Sequence, residues 1–231
     1  MKIKLPKNKL LTGIQRVSNV ITPKNTLPIL SNILLETTGS GIRLIGTDWE
    51  IGISYTTEAE ILEKGGITIP AKKIGDIVKE LPDEEITVSS QKNNTIIITS
   101  QKSFFKILGL PKEDFPDLPK VKSEESITIK QKLLKTMLLM TSFAISYDET
   151  RYVLNGTLFS LGDNQLKLVT TDGRRLSLIQ KKIDNPNKIK KEVIIPIKTS
   201  AELSRVLKEE GDVRIFFGQN QIVFELNNTT V

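Results

Sequence analysis

Neither cysteine nor histidine occurs among the 231 residues. Their absence removes disulfides, thiolate nucleophiles, zinc sites of the usual kind and histidine acid–base chemistry from the functions open to this chain. Long apolar runs are missing too. The amino terminus, MKIKLPKNKL, has no signal-peptide core, and nothing later approaches the roughly 20 apolar residues that a membrane span needs. A cytoplasmic protein without membrane contact is expected. What is present is ordinary for a folded globular chain, 38% apolar and 26% charged. The 33 Lys and Arg exceed the 27 Asp and Glu, leaving +6. Such a surplus favours polyanionic partners only if it is concentrated on one surface.

The stretch Thr150–Ile179 repeats a plan already stated between Thr26 and Tyr55. Without a gap, Thr150, Leu154, Leu158, Leu168, Thr171 and Asp172 fall on Thr26, Leu30, Leu34, Leu44, Thr47 and Asp48, each pair 124 positions apart. Downstream, Val193-Ile-Ile-Pro196 answers Ile67-Thr-Ile-Pro70 at an offset of 126, and upstream Gln131-Lys-Leu-Leu134 answers Asn8-Lys-Leu-Leu11 at 123. The period is too long for a solenoid unit, for which it runs from roughly 20 to 50 residues, so two copies of a whole domain are expected. Phe105 is the counterpart of Val231, so the second copy is expected to stop as its last strand begins, as in a chain cut from a longer one.

Periodicity predicts helices over 7–21, 71–82, 130–145 and 197–209, and strands at 29–36, 42–46, 51–55, 86–90, 95–100, 104–108, 127–129, 213–217 and 221–226, with further strands around the Asp163-Asn164 and Asp172-Gly173 turns. The fold class is α+β: each copy packs two helices on antiparallel strands. Leu110–Lys122, with three prolines and no period, reads as the linker, which places the domains at 1–122 and 123–231. The four helices carry twelve Lys or Arg and four acids, hence +8 against +6 for the whole chain. On one side of a sheet they would form a basic surface suited to phosphates and blind to base sequence; exposed helix faces favour lysine in any case.

Six motifs occur in order: TLPIL at 26–30, Gly46-Thr-Asp48, Ile69-Pro-Ala-Lys72, Asp114-Phe-Pro-Asp117, Arg151-Tyr-Val-Leu-Asn-Gly156 and Thr171-Asp-Gly-Arg-Arg-Leu176. Together they resemble the bacterial DNA polymerase III beta subunits, the sliding clamps, over essentially the whole chain. Members of that family have three such domains, so the resemblance covers the first two and leaves the third absent. It implies the DNA-clamp fold and a head-to-tail homodimeric ring lined by basic helices. The ring is a non-catalytic processivity factor that encircles duplex DNA and tethers the polymerase alpha subunit, the clamp loader and other carriers of a clamp-binding motif. No cofactor is implied. The positions matching the family's DNA contacts are Lys24, Lys73, Tyr152 and Lys198. Those matching its partner-peptide pocket are Leu154, Thr171, Gly173, Arg174, Arg175 and Leu176. Phe105 and Ile107 match the ring joint, although pattern alone serves equally well for side chains filling the first domain's own core. The isolated chain is not expected to close a ring or to stay on circular DNA.

Two other readings stand beside this one. Asp48, Glu50 and Asp172 could be offered as carboxylates for metal-assisted hydrolysis. Because the two Asp residues are equivalent in the repeat, turn formation is the expectation for both. A duplicated-domain interaction scaffold that does not bind DNA is the stronger rival, and the charge on the helix faces separates it from a clamp.

Overall fold

The structure is a computed structural model that describes residues 1–22, 27–118, 125–148, 150–218 and 221–231. The chain forms two compact units, Met1–Leu118 and Pro119–Val231. The expected boundary after 122 and the candidate Lys24 lie outside the described residues.

The first unit runs β1 (Lys2–Pro6), α1 (Lys7–Ser18), β2 (Asn32–Thr37), β3 (Gly41–Thr47), β4 (Gly52–Glu58), β5 (Glu60–Glu63), β6 (Gly66–Pro70), α2 (Ala71–Glu80), β7 (Glu85–Ser90), β8 (Thr95–Ser100) and β9 (Ser103–Leu108). Its strands form two antiparallel arrays in the orders β5-β1-β7-β8-β9 and β4-β3-β2-β6. The second unit runs β10 (Ser126–Lys130), α3 (Gln131–Thr141), β11 (Gly156–Gly162), β12 (Gln165–Thr171), β13 (Leu176–Lys182), β14 (Lys191–Pro196), α4 (Ile197–Val206), β15 (Asp212–Phe217), β16 (Ile222–Leu226) and β17 (Thr229–Thr230). Its arrays are β10-β15-β16-β17 and β13-β12-β11-β14. With β5 set aside, the two plans superimpose strand for strand.

The register repeats as well. Leu34 pairs with Ile45 as Leu158 pairs with Val169, at the offset of 124. Ile98 pairs with Phe105, and Phe224 exchanges hydrogen bonds of 2.8 and 2.9 Å with Val231, at the offset of 126. Side-chain alternation then decides which residues are inside. Leu35, Leu44 and Ile53 face the helix side of the first unit and are fully buried, as are Phe159, Leu168 and Ile195 in the second.

Proline sets three of the four helix starts. Pro6, Pro70 and Pro196 hold φ at −60°, −54° and −54° immediately before α1, α2 and α4. The ring fixes a helix-compatible φ and removes an N–H that the strand no longer needs. Gly46 lets α1 approach the sheet: a side chain there would begin 2.4 Å from the Val17 carbonyl oxygen. In the second unit Thr170 Oγ1 donates to the Thr141 carbonyl at 2.6 Å and Ser177 Oγ to the Met140 carbonyl at 2.9 Å, which seats α3 on β12 and β13.

Several expected boundaries change. α1 ends at Ser18 rather than at 21, and a 3₁₀ turn, Pro28–Ser31, precedes β2. α3 ends at Thr141 and passes into the 3₁₀ turn Ser142–Ala144. β1 was not expected, yet Ile3 and Leu5 are fully buried and the strand sits between β5 and β7. The described part of the supposed linker is packed chain: Phe115 is buried and Leu110 exchanges hydrogen bonds with Thr68 in β6. No helix among the described residues is long and apolar enough to cross a membrane.

Candidate functional site

The turn between β12 and β13 is built by two side chains. Thr171 Oγ1 donates to the Arg175 carbonyl at 2.7 Å and accepts from the Gly173 N–H at 3.1 Å. Asp172 Oδ1 accepts from the Arg174 and Arg175 N–H groups, both at 3.0 Å, while Oδ2 accepts from Arg175 Nε at 3.0 Å. The first unit repeats the arrangement. Thr47 Oγ1 donates to the Ile51 carbonyl at 2.9 Å and accepts from Trp49 N–H at 3.2 Å, and Asp48 Oδ1 accepts from Glu50 and Ile51 at 3.1 and 3.0 Å. Both carboxylates serve as turn formers. Among the described residues no group of three acidic, histidine or cysteine side chains could hold a metal.

The turn demands a left-handed residue at its third position. Gly173 takes φ +86° freely, whereas Trp49 takes +77° against its own Cβ. The product in the second unit is a rigid loop that presents Leu176, 63% exposed, at the start of β13. Arginines surround it. The Arg175 guanidinium stacks over the exposed Phe143 ring at 5.6 Å. Arg151 places Nη1 3.4 Å from the point where a side chain on Gly173 would begin, and pairs with Asp148 at 3.6 Å. Thr171, Gly173, Arg174, Arg175 and Leu176 thus share one surface. Leu154 belongs to the adjacent 3₁₀ turn Tyr152–Leu154 and is half-buried. Arg151, Met140 and Phe143 were not singled out for this surface; they reach it from other elements, a proximity no local pattern reports.

Hydrogen bonds from the Arg174 and Arg175 amides, and then the Arg175 guanidinium, hold the Asp172 carboxyl below its ordinary value of 3.8. A carboxyl with a depressed folded pKa stabilises the fold above its unfolded pKa, and that stabilisation disappears as pH falls through the folded value. In an acid titration followed by NMR, the Arg174 and Arg175 amide shifts are therefore expected to move with a midpoint below 3.8 and to lose that step in Asp172→Asn. A midpoint at or above 3.8 would show that these amides do not hold the carboxylate.

The other candidates are dispersed. Lys73 on α2, Tyr152 and Lys198 on α4 are exposed. The helix cations form a less open surplus than expected. Lys9 pairs with Glu58 at 2.9 Å, Lys130 with Asp212 at 2.8 Å, Lys132 and Lys135 with Glu209 at 3.5 and 3.1 Å, and Arg205 with Glu202 at 3.2 Å. Glu58 and Asp212 belong to strands and so fall outside a count confined to the helices, whereas Glu202 and Glu209 were already in it. Lys72, Lys73 and Lys79 are exposed, with no ion pair among the described residues. A cleft of about 420 Å³ lined by Lys130, Lys132, Thr136, Lys181 and Glu209 holds some of the paired lysines.

Phe105 and Ile107 stand on β9, the last strand in its array. They pair with Ile98 and Ile96, both fully buried, and so share the core-side face, with Phe105 exposed and Ile107 half-buried. The opposite face of the same strand presents Phe104 and Leu108, both largely exposed. These two were not predicted, although the alternation Phe104, Lys106, Leu108 carries the signal.

Comparison with known proteins gives this surface a setting. Residues 1–119 match the model of the DNA polymerase III beta subunit N-terminal domain, and residues 128–231 that of its central domain. The beta sliding clamp of Chlamydia pneumoniae is 35% identical over 229 residues, covering 99% of this chain and 63% of the relative. Among solved structures, the DNA polymerase sliding clamp of Bacillus subtilis matches with a TM-score of 0.96 at 30% identity. The DNA polymerase III beta subunit of Eubacterium rectale matches at 0.95 and 34%. Each match covers 100% of this chain and 63% of the relative's. The chain spans less than two thirds of the length of these relatives, and it belongs to the DNA polymerase III beta subunit family.

Proposed function

We propose that this chain is the N-terminal and central part of a sliding clamp, the processivity factor of a bacterial replicative DNA polymerase. Its domains meet in the segment ending at 122, and a third domain completes the protomer. Two protomers close head to tail around duplex DNA, with Phe105 and Ile107 at the joint. Lys24, Lys73, Tyr152 and Lys198 face the phosphates. The ring holds DNA topologically: screened attraction from lysines keeps the duplex centred, and sliding stays fast because no base contact has to break. This part of the protein makes and breaks no covalent bond. Polymerase III alpha subunit, clamp loader and other partners dock short apolar peptides on Leu154, Thr171, Gly173, Arg174, Arg175 and Leu176, where a fixed turn supplies backbone donors and an exposed leucine supplies the apolar wall.

The observation that carries this reading is the match of both family domains, in succession and almost without interruption, to a chain whose own structure repeats the same unit twice. The test is retention of the complete protein on a nicked circle after loading. It is expected to stay on the circle and to run off once the DNA is linearised. Replacing Lys73 and Lys198 by Glu is expected to shorten retention and to flatten the salt dependence of binding, with a slope change approaching ~2 for two lost phosphate contacts. Retention unaffected by linearisation, or a salt slope unmoved by the double substitution, would favour the scaffold, a reading to which the extensive pairing of the helix lysines lends some weight.

A further inference from the structure

The repeated turn is filled differently in the two units at its third position. Gly173 takes φ +86° without strain, whereas its counterpart Trp49 stands at φ +77°. The left-handed region suits glycine and tolerates polar side chains, and among the described residues every other non-glycine residue found there is polar. A bulky side chain in that region is an outlier that persists only where its surroundings hold it.

The surroundings hold the Trp49 backbone and leave its ring in solvent. Thr47 and Ile51, at the two ends of the turn, are 4% and 6% exposed and are joined by the Thr47 Oγ1 bond to the Ile51 carbonyl at 2.9 Å. The Trp49 N–H donates back to Thr47 Oγ1 at 3.2 Å. The indole itself is 66% exposed, so burial does little to offset the strain. Among the described residues no aromatic ring pairs with it and no cation stacks over it.

The chemistry around the two turns is opposite in sign. In the second unit Arg174 and Arg175 follow the glycine, and Arg151 approaches it from the residue before the 3₁₀ turn Tyr152–Leu154. In the first unit Asp48 and Glu50 flank the tryptophan, and Gly52 lies against Leu118, which Asp117 precedes. The place of Arg151 is taken, at the offset of 124, by Leu27, which precedes the 3₁₀ turn Pro28–Ser31 and is 47% exposed. The first unit therefore offers no leucine wall of the Leu176 kind. It offers an indole set between carboxylates.

We infer that Trp49 anchors an arginine of a partner protein, on a docking surface separate from the one on the second unit. Tryptophan is the best of the aromatic acceptors for a cation. A guanidinium fits better than an ammonium here, because it lies flat on the ring while its edge N–H groups reach a neighbouring carboxylate such as Glu50. Nucleobases also stack on exposed aromatic rings, but Asp48, Glu50 and Asp117 repel the phosphates that accompany them. The left-handed backbone presents the indole before the partner arrives, so the fold rather than the binding step supplies the ordering.

The test uses a fluorescent peptide of alternating arginine and glycine, with a version in which glutamate replaces arginine, and oligothymidylate. Trp49 is the only tryptophan of the chain, so its emission reports the contact directly. The arginine peptide alone is expected to quench it. Trp49→Gly is expected to weaken binding of that peptide about fivefold. The same substitution should leave the first unit at least as stable, because it installs the residue that the second unit already carries at this position. Emission unmoved by the arginine peptide, or moved as much by the glutamate version, overturns the inference. So does equal affinity of Trp49→Gly, a loss of stability on that substitution, which would make the indole a structural part of the turn, or tighter binding of oligothymidylate than of the arginine peptide.

Discussion

Phe159→Ala is expected to destabilise the second unit by about 3–5 kcal/mol while leaving the unfolding transition of the first in place. Phe159 on β11 and Phe224 on β16 meet edge to face, with ring centroids 6.0 Å apart and planes at 72°. Both side chains are fully buried, and they belong to the two different strand arrays of the unit. Truncation would leave a void between layers, and Phe224 would lose an aromatic pairing worth about 0.5–1.5 kcal/mol beyond its buried area. A domain of this size has about 5–15 kcal/mol of stability in total, so the loss should separate two transitions. Amide exchange in urea, read separately for β3 and β12, measures both at once. A loss below about 1 kcal/mol, or equal loss in both units, would show that the ring pair does not join the second unit's layers.

Local rules reached as far as local forces do. The four helices, the hairpin turns and the doubling of the domain could be read from spacing, because each depends on residues within a few positions or on a pattern stated twice. Pro70 and Pro196 marked helix starts correctly, since the constraint they impose acts on their own backbone. β1 escaped because five residues at a terminus, with only Ile3 and Leu5 facing inward, give too short an alternation to count. The linker reading left out the packing of the segment for a related reason. Three prolines and no period describe an extended segment, and say nothing of whether that segment lies on a sheet; Phe115 does.

For the candidate sites the division is sharper. Thr171, Asp172 and Gly173 could be understood from their types alone, as a threonine and an aspartate closing hydrogen bonds around a left-handed glycine. Charge could not. Lys9 and Glu58 are 49 positions apart and 2.9 Å apart in space, so a count confined to the helices misses the strand acid and overestimates how much of the charge stands open. Lys72 and Lys73 remain, on one turn of α2. Phe104 and Leu108 show the opposite error: attention to the core-side residues of β9 passed over the pair on its other face, which is the more exposed of the two.

Leu176→Ala is expected to weaken binding of a fluorescent peptide carrying a glutamine followed by leucines and a phenylalanine by about thirtyfold in the complete protein, the effect of losing an anchor worth about 2 kcal/mol. Leu176 is 63% exposed and its backbone is fixed by the turn before it, so its truncation should change stability by no more than about 0.5 kcal/mol. That separation makes the experiment decisive. Arg175→Ala mixes two effects, because the same guanidinium that borders the surface also bonds Asp172 and covers the Phe143 ring; it should lower both affinity and the order of the turn. Leu62→Ala, at another exposed leucine, in the first unit, serves as the control and should leave affinity unchanged. If Leu176→Ala and Leu62→Ala bind the peptide alike, the turn is only a turn, and the partner surface has to be sought elsewhere in the protein. If Leu176→Ala alone loses affinity, the rigid Thr-Asp-Gly geometry acquires a purpose that its copy in the first unit lacks: there the third position holds a strained tryptophan, and the residue equivalent to Leu176 is Gly52, already covered by Leu118.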